Sequence, residues 1–117
     1  DCLLEPETLR ELVQTAHATQ RPTQAAYVML PPPAPSLKER LSAFAWRVRN
    51  VVRPEGALRL GWPCQLMGTG MAFPWRIVAA APLASGHLVE DLQLGVALAR
   101  DGTPPLYCPW ARVSSTF

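Results

Sequence analysis

The sequence predicts an α/β layered sheet in a single domain over residues 1–117, and three observations lead there. Segments with apolar residues at helical spacing alternate with short, continuous apolar runs of strand type. No internal repeat breaks that order, and 49% of the residues are apolar, enough for a chain of 117 to bury a core of its own.

The elements follow from the N-terminus. Residues 6–19, PETLRELVQTAHAT, place Leu9, Leu12, Val13 and Ala16 on one helical stripe, with Pro6 suited to the first turn and Glu7 to the positive helix end. After Arg21 and Pro22, QAAYVML is short and wholly apolar beyond its first residue, as a strand buried on both faces is, and the proline run at 31–35 stops it. Ser36 and Glu39 have capping-box spacing, and Leu37, Leu41, Phe44, Val48 and Val52 recur every three or four residues until Pro54, which should end the helix. The other surfaces of that helix carry Lys38, Arg40, Arg47, Arg49 and Arg53 beside Trp46.

Residues 64–75, CQLMGTGMAFPW, read as an apolar strand interrupted by Gly68, Thr69 and Gly70, where missing side chains permit a sharp turn or the close approach of a ligand. Pro74 can open the short helix PWRIVAAA. In GHLVEDLQLGVALARDG, residues 86–102, Leu88, Leu92, Val96 and Ala99 share a helical face, Arg100 lies in the last turn and Gly102 supplies the cap. PPLYCPWARVSST at 104–116 predicts a strand, or two broken by Pro109.

A net charge of +2 and a pI near 8.7 lack the concentrated positive charge of a dedicated nucleic-acid binder. Cys2, Cys64 and Cys108 are widely spaced, with no C-x-x-C pair, which argues against zinc and reads as buried thiols of a reducing compartment. The chain starts at Asp1 without a basic and apolar leader, and no window approaches ~20 uninterrupted apolar residues, so neither a secretory signal nor a membrane span is expected. The absence of an initiator Met suggests a piece of a longer protein.

Glu90 and Asp91 fall in the first turn of their helix, where a carboxylate gains roughly 0.3 to 1 kcal/mol from the macrodipole, so a structural role is open to both. Consecutive helical residues point about 100° apart, so the two acids cannot act as a pair at one spot; if there is a site, one of them owns it. The GTG segment fits neither the P-loop nor the dinucleotide glycine pattern, and as a structural feature it marks a bulge. His87 reads as a helix-cap or surface residue, and Ser114 and Ser115 lack triad partners.

Taken in order, Asp1 followed by CLLEPETL, the run MGTGMAFPW at 67–75, and Glu90 with Asp91 opening a helix that ends in LARDG at 98–102 resemble the central-to-C-terminal half of a family 2 glycosyltransferase of the membrane-associated bacterial type. The resemblance implies a partial GT-A fold, a mixed sheet flanked by helices and lacking its N-terminal, nucleotide-binding half. It implies transfer of a sugar from a nucleotide diphosphate sugar to the hydroxyl of a carbohydrate or lipid-linked acceptor, with inversion, at the cytoplasmic side of a bacterial inner membrane. Asp91 matches the family's general base, since the attacking alcohol must lose its proton as the bond forms. Glu90 would orient the site or satisfy backbone amides. Asp1 matches the acid that binds a divalent metal, Mg or Mn, which stabilises the departing diphosphate. Gly68, Thr69 and Gly70 match the segment that lets the main chain approach the sugar or acceptor.

The chain departs from that family in lacking the nucleotide-binding half, the first acid of Asp-x-Asp and any Gln-x-x-Arg-Trp motif. The expectation is therefore a fragment that is inactive by itself and self-associates through a cut sheet edge. A rival reading makes the chain a non-catalytic interaction module whose basic, Trp46-bearing helix holds a membrane surface or a partner. Nucleic acid is not an expected partner, because the basic residues lack aromatic platforms.

Overall fold

A computed structural model of the chain describes residues 2–80 and 90–117, the side chain of Glu90 excepted. The elements run β1 (Cys2–Leu4), α1 (Pro6–Thr19), β2 (Thr23–Leu30), α2 (Leu37–Arg47), a π-helical turn (Val48–Val52), α3 (Arg53–Arg59), β3 (Met71–Ala72), α4 (Trp75–Ala80), α5 (Glu90–Arg100) and β4 (Leu106–Thr116). The four strands form one mixed sheet in the order β1-β4-β2-β3. β2 and β4 pair in parallel at its centre, while β1 and β3 run antiparallel at the edges. The predicted α/β class is the one observed.

Alternation along the central strands decides which layer each residue feeds. Ala25 and Cys108 point to one face and pack with Leu12 of α1, Ala111 and Val113. Ala26 and Tyr107 point to the other and pack with Cys64 and the half-buried Leu58 of α3. α1 thus covers one side of the sheet, and α3 with the π-helical turn covers the other. Tyr107 is buried there, and among the described residues its hydroxyl finds no hydrogen-bond partner.

Helix α1 buries half of the predicted stripe, Leu12 and Ala16, and adds Thr8 to it. Thr8, Leu12 and Ala16 are buried, while Leu9 and Val13 are exposed. The polar Thr8 wins its inward place because its hydroxyl bonds to both the N–H and the carbonyl of Arg112, at 3.1 and 3.0 Å, and so clips the helix to β4.

The capping box forms as expected. Ser36 Oγ accepts from the Glu39 amide at 3.3 Å, and Glu39 Oε2 accepts from the Ser36 amide at 2.7 Å. These bonds hold the Glu39 carboxyl below its ordinary range. The helix does not stop at Pro54, however. The wider π turn lets the chain enter α3 with Pro54 in its first turn, where a missing N–H is tolerated, and helix continues to Arg59.

The inward face of α2 is the reverse of the predicted one. No residue of α2 is buried, and the apolar line Leu37, Leu41, Phe44, Val48 and Val52 faces outward. Trp46 turns to the sheet instead. Its indole N–H donates to the Tyr27 carbonyl at 3.1 Å, and its ring meets that of Tyr27 edge-on with centroids 5.2 Å apart.

The expected strand at 64–75 shrinks to Met71–Ala72, because its first half is held by contacts other than a ladder. β4 is a single strand despite Pro109. Its pairing with β2 jumps from Ala25 opposite Cys108 to Ala26 opposite Arg112, so the proline sits in an irregularity where no ladder donor is required. In α5 the buried positions are Gly95 and Leu98, whereas Leu92 and Val96 are exposed; Leu88 and His87 lie outside the described residues. The helix ends in a Schellman arrangement, Thr103 N–H to Leu98 carbonyl and Gly102 N–H to Ala99 carbonyl, with Gly102 at φ +89°.

Candidate functional site

The site is built where the glycine bend meets the start of α5. Gly68 and Gly70 take φ values of +83° and +65°, left-handed conformations that ordinary residues resist, so the bend at 68–70 is a turn that these glycines make possible. Gly70 packs so tightly that a Cβ there would meet Val113 Cγ2 at 2.6 Å. Its carbonyl accepts from the Ala25 amide at 2.8 Å, which hangs the bend on the central strand.

Gln24, wholly buried on β2, fixes the rest of the bend. Its amide nitrogen donates to the Thr69 carbonyl at 2.8 Å, and its amide oxygen accepts from the Met67 N–H at 2.8 Å. A buried primary amide spanning both sides of a tight turn satisfies main-chain groups that no ladder reaches. Sequence reasoning passed over Gln24, although a lone amide in an otherwise apolar strand was the available signal.

Asp91, in the first turn of α5, comes down on this bend. A Cβ added to Gly68 would lie 2.6 Å from Asp91 Oδ2, so the carboxylate rests directly on glycine backbone. Asp91 is half-buried and lines a cavity of about 600 Å³ whose wall includes Trp46, Asn50, Arg53, Trp62 and Leu66. A second hollow of about 410 Å³ continues along α5 past Gly95 and shares Cys64 and Leu66 with the first. The ion pairs among the described residues, Arg10 with Glu7 and Arg59 with Glu55, leave Asp91 uninvolved.

The cavity combines aromatic surface with a small set of polar groups. Asn50, buried in the π-helical turn, supplies one, and Arg49 and Arg53 also line the wall. The π turn matters here, since its extra residue per turn sets Asn50 toward the cavity while Val48 and Val52 stay outside. Burial pushes the Cys64 thiol up to about 12, which makes it an inert wall rather than a nucleophile.

Of the residues singled out by sequence, Asp91, Gly68, Thr69 and Gly70 are brought together. Asp1 and the side chain of Glu90 lie outside the described residues. Among the described residues no cluster of three or more His, Cys, Asp or Glu stands ready to hold a metal. Cys64 and Cys108 are buried free thiols as expected, whereas Cys2 is exposed, because it sits on an edge strand that nothing covers among the described residues. Searches against protein-family models, curated proteins and solved structures returned no match.

Proposed function

We propose that the chain forms the acceptor side of an inverting glycosyltransferase of GT-A type, in which Asp91 takes the proton from an acceptor hydroxyl. One observation carries this reading: the Asp91 carboxylate is seated on the backbone of Gly68 in the wall of a cavity large enough for a sugar. The resemblance of MGTGMAFPW and of the Glu90–Asp91 helix to that family supports it independently.

In this reaction the acceptor oxygen forms a bond to the anomeric carbon of the donor. The bond from that carbon to the diphosphate oxygen breaks, its electron pair leaving with the nucleoside diphosphate, and the hydroxyl proton passes to Asp91. Attack opposite the leaving group inverts the carbon. A carboxylate within hydrogen-bond reach of the hydroxyl contributes typically about 10² to 10⁴ in rate. Trp46 and Trp62 offer apolar faces to a sugar ring, and Asn50 offers an amide to its hydroxyls.

The bend at 68–70 seats the base: Asp91 Oδ2 takes the space beside Gly68, and Val113 takes the space beside Gly70. Glu90 serves to orient the site. A divalent cation held in part by Asp1 would neutralise the departing diphosphate, with its remaining ligands and the donor pocket supplied from outside the described residues. The setting that suits these substrates is the cytoplasmic face of a bacterial inner membrane.

The direct test joins this chain to its donor-binding half and offers nucleotide diphosphate sugars with carbohydrate or lipid-linked acceptors. The expected product is a glycoside of inverted anomeric configuration, identified by NMR coupling at the anomeric proton. Donor hydrolysis without glycoside, or retention of configuration, contradicts the proposal. The chain of 117 residues alone should not turn over.

A further inference from the structure

The transfer chemistry leaves the outward face of α2 unused. Leu37, Leu41, Phe44, Val48 and Val52 are 74, 60, 68, 37 and 56% exposed, and together they make a continuous apolar line along the helix and its π-helical turn. An aqueous domain gains nothing by presenting such a line to water. Helical spacing puts Lys38 and Arg49 along one margin of the line and Arg40 and Arg47 along the other. Residues 36–53 hold five cations against one acid, Glu39, while the rest of the chain holds six cations against eight acids. Four of these five cations therefore border the exposed apolar stripe, in a segment whose net charge is positive while that of the rest of the chain is negative.

We propose that this face is a docking surface for an anionic lipid bilayer, with the helix lying in the plane of the headgroups. An apolar stripe that enters the acyl boundary, bordered on both sides by cations that meet lipid phosphates, is the pattern of an interfacial helix. Among the described residues no helix is long and apolar enough to cross a membrane, and the contact proposed is that of a helix lying on the bilayer. Arg49 stands both at the margin of the stripe and at the cavity wall, so docking brings the rim of the cavity to headgroup level. The proposal does not rest on the transferase reading, since vesicle binding and sugar transfer can fail separately.

The test is sedimentation of the 117-residue chain with vesicles of equimolar phosphatidylcholine and phosphatidylglycerol, beside vesicles of phosphatidylcholine alone. The chain should sediment with the anionic vesicles, and added salt should release it. Each of Lys38→Gln, Arg40→Gln and Arg47→Gln should weaken binding by about fivefold. The double variant Leu41→Ser, Phe44→Ser should abolish it while circular dichroism stays unchanged, because both side chains are exposed. A chain that remains in the supernatant, or a double variant that still binds, overturns the proposal. So does a dimer in the absence of lipid that Phe44→Ser dissociates, which would assign the stripe to a second copy.

Discussion

The Asp91 carboxylate occupies the space that a side chain on residue 68 would need, with Oδ2 2.6 Å from the position of a Gly68 Cβ. Glycine at 68 is thus required twice, once by a φ of +83° and once by the acid above it. Gly61 separates the two causes, because it has φ +73° but open space around its Cβ position.

Both Gly68→Ala and Gly61→Ala should lose about 1–2 kcal/mol from backbone strain, measured by urea unfolding. Gly68→Ala should lose more and, in a transfer-competent protein, should also lower turnover as the carboxylate is pushed aside. Equal turnover in the two variants would mean that the seat of Asp91 has no part in the reaction.

Gln24→Leu tests what holds the bend. It strips the Met67 N–H and the Thr69 carbonyl of their partner. A buried polar group left unsatisfied costs about 1–3 kcal/mol, so a loss of that order is expected, together with faster hydrogen exchange at the Met67 amide. Unchanged stability and exchange would show that the bend stands without the amide.

Alkaline pH should weaken the fold. Burial pushes Cys64 and Tyr107 up to about 12 and Cys108 upward, while the unfolded chain releases these protons at ordinary values. The folded state therefore binds more protons in between. Stability is fully present below the ordinary thiol range near about pH 8.5 and is lost as pH rises toward the folded values, by up to about tenfold in the folding constant per pH unit for each group. Cys64→Ala should flatten that slope in urea titrations at increasing pH. In the same spirit, a thiol reagent should label Cys2 in the native protein and reach Cys64 and Cys108 only after unfolding.

What sequence made legible was local. The capping box at Ser36 and Glu39, the Gly102 cap and the place of Asp91 in the first turn of its helix depend on residues within one or two turns of each other. The direction in which a helix faces depends on the partner, which periodicity does not name. The stripe from Leu37 to Val52 is real, yet the sheet accepts Trp46 and Asn50 instead, since Tyr27 offers a carbonyl to the indole and the π turn sets the amide inward. Pro54 misled for the same reason, because a proline that ends one helical segment can begin the next. Gln24 and the glycine bend are far apart in sequence, and only the meeting of β2 with residues 67–70 joins them.

The measurement that bears most directly on the site is the turnover of Asp91→Asn, in a protein that joins this chain to a donor-binding half of the kind proposed. If Asp91 is the base, kcat falls by about 10² to 10⁴ while the unfolding midpoint stays near that of the parent protein. Full turnover in Asp91→Asn, with a loss of roughly 0.3 to 1 kcal/mol in stability, would contradict the account and leave the acid as a charge that serves only its helix.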